Sequence, residues 1–122
     1  MGRYIPQNND ANIYKIADLL LAIEAKMREL QVWGKVSPDP EGLASKLPFC
    51  GDTLTLEQWL QWIFIPRMKL LLESGKSLPR SCDISPYARE VWRQRQDDMA
   101  PLINILREFD ELIFRLNEPG HH

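Results

Sequence analysis

The chain has 122 residues, 44% of them hydrophobic and 26% charged, with a formal net charge of −2. That length predicts a single domain with one core, residues 1–122, which needs no disulfide or metal staple. The slight acidity supplies no global positive field for nucleic acid or anionic lipid, and no apolar run approaches the roughly 20 residues that cross a bilayer.

The opening stretch, MGRYIPQNNDAN, lacks the apolar centre of a signal peptide, so a cytoplasmic protein is the expectation. Residues 1–8 and 118–122 read as disordered tails. The first helix is predicted over about Asn9 to Val32. Ile13, Ile16, Ala17, Leu20, Ile23, Met27 and Leu30 repeat at i, i+3, i+4, i+7, with Lys15, Asp18, Lys26 and Glu29 opposite. Gly34 is its expected stop.

Residues 35–54 carry Ser37, Pro38, Asp39, Pro40, Gly42, Pro48 and Gly51 and read as a long irregular connection. Its apolar tail, Leu47, Phe49 and Leu54, predicts that it lies against the core.

A second helix is predicted from Thr55, where Gln58 three residues on completes a capping box; Asp52 and Thr53 are rival caps. A helical wheel places Leu56, Trp59, Leu60, Ile63, Leu70 and Leu71 on one arc, with Arg67 inside it. Trp62 and Ile65 fall toward the polar side with Gln58, Gln61 and Lys69. Pro66 has no N–H and obstructs the carbonyl four residues back, so the helix should kink or divide there. Gly75 is the predicted stop. Ser85 and Pro86 open a short third helix as N-cap and first residue, with Tyr87, Ala88, Val91 and Trp92 as a weak apolar face. The last helix, about Pro101 to Asn117, aligns Leu102, Ile105, Leu106, Phe109, Leu112, Ile113 and Leu116. Ile103 and Phe114 lie off that stripe, either against the third helix or as an exposed patch suited to a weak homodimer. The whole predicts an all-α bundle of four main helices, mostly antiparallel, the second kinked at Pro66.

No motif of a known enzyme class is present. The only cysteines, Cys50 and Cys82, form no paired metal motif, and the only histidines are His121 and His122, native or a tag remnant. A metal site therefore lacks ligands and no cofactor is expected. Cys50 and Cys82 read as free thiols, with a disulfide or a reactive Cys50 as alternatives. No Gly-rich phosphate loop or nucleophile elbow occurs.

Asp52, Cys50, Glu57 and Arg67 would converge near the second helix's N-terminus, where backbone N–H groups favour anions. Asp52 reads first as a helix cap, and Arg67 as a buried arginine paired with Asp52, Asp83 or Glu90. Two function classes are favoured by these residues, with an enzyme acting alone as a third. One is a protein-docking face of Gln58, Gln61, Trp62, Ile65 and Lys69 with Tyr87 and Trp92. The other binds RNA or a small anion through Arg67, Lys69, Arg80, Arg89, Arg93 and Arg95, with tryptophans as stacking platforms.

The string Pro48-Phe49, Asp52-Thr53, Trp59-Leu60-Gln61-Trp62, Ile65-Pro66-Arg67-Met68, followed by Leu78-Pro79 and Pro86-Tyr87, resembles the YqcC-like family of small bacterial proteins. The resemblance extends over most of residues 12–117. It implies a cytoplasmic helical bundle without an assigned activity, linked by label and gene neighbourhood to tRNA pseudouridine synthase C. The nucleophilic aspartate motif of such synthases is not matched: the nearest string, Arg107-Glu108-Phe109-Asp110, sits in a predicted helix. What the resemblance implies is thus a partnership with that enzyme or with its RNA.

Overall fold

A computed structural model describes residues 8–117, with side chains from Ala11 onward. The expected tails, apart from Asn8, and the His121-His122 pair lie outside the described residues. Those residues are helical and contain no strand.

Helix α1 spans Asn8–Glu29 and buries Ile16, Leu20, Ile23 and Met27, one residue per turn along a single face. Its end comes before Gly34. Gln31 takes a left-handed conformation, φ 62°. Its N–H donates to the Arg28 carbonyl (3.1 Å), and that of Val32 to the Met27 carbonyl (2.9 Å). These two bonds close a Schellman motif, so the chain turns three residues earlier than a glycine-based stop predicts.

The connection after α1 is packed down only in part: Phe49 lies against the core and Leu54 is half-buried, but Leu47, expected there too, is 54% exposed. It holds a one-turn helix α2, Pro40–Leu43, and a 3₁₀ turn at Pro48–Cys50. The Thr53 hydroxyl donates to the Gly42 carbonyl (2.7 Å) and ties the two together.

The second long helix is three pieces in one: α3 (Leu56–Trp59), a π turn (Leu60–Phe64) and α4 (Ile65–Ser74). Thr55 and Gln58 form the predicted capping box. Gly75, left-handed at φ 69°, ends the helix. The π turn is the local answer to Pro66. An unbroken α-helix would press the proline ring on the Trp62 carbonyl and leave that carbonyl without its donor. The Ile65 N–H instead reaches the Leu60 carbonyl five residues back. The turn takes in one extra residue and rotates everything after it by roughly 100° relative to an ideal wheel.

That rotation rewrites the predicted faces. Ile65, expected at a contact surface, is only 2% exposed, and Phe64 and Met68 are buried beside it. Leu70, expected in the core, is 63% exposed. Arg67 is carried out of the apolar arc into solvent, and no ion pair among the described residues includes it. Burial of the arginine and its expected pairing are thus both corrected.

Helix α5, Ile84–Val91, starts before Ser85, with Asp83 left-handed (φ 50°) as its N-cap position. A 3₁₀ turn at Arg93–Arg95 leads into α6, Gln96–Leu116. Pro101 lies inside α6 instead of opening it. Helix α6 is the axis of the core, packed against α1 and α5 and burying Met99, Leu102, Leu106, Phe109, Leu112 and Ile113. Ile103 is buried as well, which removes it from any dimer surface, whereas Phe114 is 62% exposed.

Candidate functional site

The residues of the family pattern divide by whether the fold already employs them. Phe49 and Cys50 are consecutive left-handed residues, φ 57° and 50°, a conformation that costs an L-residue roughly 1–2 kcal/mol. The gain is a run of aromatic contacts. The Phe49 ring stacks on Tyr87 (centroids 4.3 Å apart) and meets Trp59 edge-on (4.9 Å); Trp59 stacks on Phe64, which meets Phe109 in the core. Gly51 passes so close to Tyr87 that a Cβ there would lie 2.9 Å from its hydroxyl oxygen. Tyr87 is therefore a half-buried wall of this loop. Asp52 is not a helix cap: it accepts the Ser45 hydroxyl and steadies the same loop.

Three polar clamps connect distant elements. Gln61 is buried, correcting its expected place on a docking face. Its amide N–H donates to the Gly34 carbonyl (2.7 Å), and its amide oxygen accepts the Gly34 N–H (2.8 Å). Glu57 accepts the Trp92 indole N–H (3.1 Å) with one oxygen and the Arg95 guanidinium (3.3 Å) with the other. Trp92 is thus a buried, hydrogen-bonded core residue and not an exposed anchor. Asp110 reaches from α6 to the start of α5, accepting the N–H groups of Ile84 (3.0 Å) and Ser85 (2.7 Å). An aspartate so engaged with backbone donors serves as a cap in trans.

Cys82 lies next to that cap. Burial first, then the Asp110 and Asp83 carboxylates, raise its pKa from 9.0 to about 12. The fold thus favours the neutral thiol. This contribution to stability is fully present below pH 9 and is lost as pH rises from 9 toward 12. Alkylation of Cys82 at pH 9, followed by mass spectrometry, is expected to run at least tenfold slower in the folded chain than in urea, since the thiolate is the reacting form. Both cysteines are free, and Cys50 is buried.

What the fold does not employ is gathered on the solvent side of the second helix. Trp62 and Ile63 are half-buried, and Pro66, Arg67 and Leu70 are exposed. Their positions, i, i+1, i+4, i+5 and i+8, form one continuous helical face. Within the Trp-Leu-Gln-Trp and Ile-Pro-Arg-Met strings, Trp59, Leu60, Ile65 and Met68 pack, Gln61 clamps, and Pro66 sets the π turn. Trp62 and Arg67 alone are left without an internal partner among the described contacts. Gln58 belongs to the capping box, and Lys69 is exposed on the neighbouring flank. Of the arginines proposed for RNA, Arg93 pairs with Glu90 (3.3 Å) and Arg95 with Glu57. No group of three or more metal-ligating side chains occurs among the described residues. A separate cleft of about 350 Å³, lined by Ile13, Leu71, Leu72, Lys76, Leu78 and Leu116, contains none of the predicted site residues.

Sequence and structure comparisons agree in direction. A family profile described as tRNA pseudouridine synthase C (DUF446) matches residues 15–112. The chain is similar to an uncharacterised protein of Haemophilus influenzae, 40% identical over 90 residues that cover 74% of this chain and 84% of that one. It is also similar to a Pectobacterium carotovorum protein named tRNA pseudouridine synthase C, 40% identical over 82 residues. These are 67% of this chain but 22% of that protein. The solution structure of Escherichia coli YqcC superposes with a TM-score of 0.78 at 32% identity, covering 91% of this chain and 95% of that one. With the family model matching residues 15–112 and the YqcC structure covering 91% of the chain, the chain belongs to the YqcC-like family.

Proposed function

We propose that the chain is a non-catalytic accessory protein of tRNA modification that works by binding a tRNA pseudouridine synthase. The observation that carries this reading is the proportion of the Pectobacterium relative. There the matching region is about a fifth of a chain bearing the synthase name. A segment of this kind joined to so large a remainder is well placed to act on it in cis. The face running from half-buried Trp62 to exposed Arg67 supports the same reading, since aromatic and arginine side chains are the usual anchors of protein interfaces.

The test is to mix the purified chain with a separately produced tRNA pseudouridine synthase C and follow the mixture by gel filtration. Pseudouridine formation in tRNA is then measured with and without the chain. Co-elution and an altered synthase rate are expected, with no pseudouridine made by the chain alone. Independent elution with an unchanged rate would sink the proposal.

A second reading is favoured by Trp62 standing near the exposed Arg67 and Lys69: direct contact with RNA, a base on the indole and phosphates on the cations. Of the six cations proposed for it, Arg93 and Arg95 are paired to carboxylates, while Arg67, Lys69, Arg80 and Arg89 are exposed and belong to no described ion pair. Its signature is tRNA binding that falls steeply with added salt.

A further inference from the structure

Resting on the partnership just proposed, the geometry points to the face of Trp62, Ile63, Pro66, Arg67 and Leu70 as the surface that docks the synthase partner. The partner would receive it in an apolar groove with a carboxylate at its edge.

Trp62, Pro66 and Leu70 recur every fourth residue and run for about 12 Å along the helix. That is the spacing with which a helix lays apolar anchors into a groove. Pro66 and Leu70 leave apolar surface exposed beside the half-buried Trp62, which a partner would cover. The row exists because the π turn brings Leu70 outward, onto the side where Trp62 already lies outside the core cluster. The same rotation places Arg67 at the edge of the row. Its guanidinium has no carboxylate of its own in the described ion pairs, so a partner carboxylate would complete it. Tyr14, Leu21 and Phe114 are also exposed, but they belong to α1 and α6 and not to this row.

The Pectobacterium protein favours a protein occupant, since its matching region shares a chain with the synthase name, and sets the expected strength. A module tethered in one chain meets its target at millimolar effective concentration and needs no extensive interface. A face of five residues suits this, and the untethered pair should bind with a Kd on the order of 1–100 μM. An RNA occupant fits less well, because the face offers one arginine among four apolar side chains.

The experiment is isothermal titration of the full chain with a tRNA pseudouridine synthase C that carries no fused copy of this domain. Trp62→Ala, Arg67→Glu and Leu70→Glu are each expected to weaken binding at least tenfold, whereas Tyr14→Ala changes it less than twofold. Leu70 and Arg67 are exposed, so their variants should keep the wild-type melting curve even if Trp62→Ala does not. Binding that all three variants leave intact overturns this surface while the partnership stands. No binding by the wild-type chain at 200 μM, about twice the top of the expected range, overturns both. If tRNA alone binds and Trp62→Ala abolishes that binding, the face belongs to RNA and the protein occupant is rejected.

Discussion

Replacing Asp110 by alanine is expected to destabilise the protein by about 2–3 kcal/mol, lowering the melting temperature by roughly 10 °C. The carboxylate holds two N–H groups at the start of α5, at 3.0 and 2.7 Å. Asp83, which stands at the N-cap position, makes no side-chain cap bond. With Asp110 gone, both donors lose their charged acceptor in a partly buried place, and α5 loses its main tie to α6 at that end. Asp110→Asn should cost nearly as much, because its amide oxygen accepts one donor while its NH₂ faces the other. Thermal and urea unfolding monitored by circular dichroism checks both variants. An Asp110→Asn protein as stable as wild type would show that the cap is not what joins the two helices.

Phe64→Ala and Leu70→Ala should separate as sharply as any pair on one helix. Phe64 is buried, meeting Phe109 edge-on at 5.1 Å and Trp59 in a stack at 5.2 Å, so truncation should cost about 3–5 kcal/mol. Leu70 lies outside the core, and its truncation should stay within about 0.5 kcal/mol. An uninterrupted α-helix makes the opposite forecast for Leu70, because its wheel places that residue among Leu56, Leu60 and Ile63. Urea midpoints of the two variants therefore report directly on the π turn. A large loss at Leu70 would show that the helix is in α phase throughout.

This contrast also shows how far the second helix was legible. Its capping box, its glycine stop and the disturbance around Pro66 are set by local chemistry within a few residues. The choice of a π turn is not, because a kink, a break and an extra residue all relieve the proline. Only the extra residue changes the helical phase of α4. Hence Ile65 and Arg67 exchange the roles predicted for them, one entering the core and the other leaving it. Trp62 stays on the outer side, where the wheel places it, because the change of phase acts on the residues after the π turn.

The clamps were less legible still. Gln61 and Gly34 are 27 residues apart, Glu57 and Trp92 35, and Asp110 and Ile84 26. No spacing rule links such positions, and each side chain alone reads as an ordinary polar helix residue. A buried glutamine or a paired indole becomes visible only when its elements are docked and water is excluded from the contact.

From its residues alone, this chain determines that it is helical, where the second helix begins and ends, which of α1 and α6's faces are apolar, and its family pattern. These are short-range properties, set by backbone donors, glycine conformations and the 3.6-residue period. The tertiary structure decides the rest: the rotation of α4, the carboxylate that caps α5 from another helix, and the row from Trp62 to Leu70 that no core element covers. Each depends on which surfaces remain after the helices have packed, and packing is a property of the whole chain.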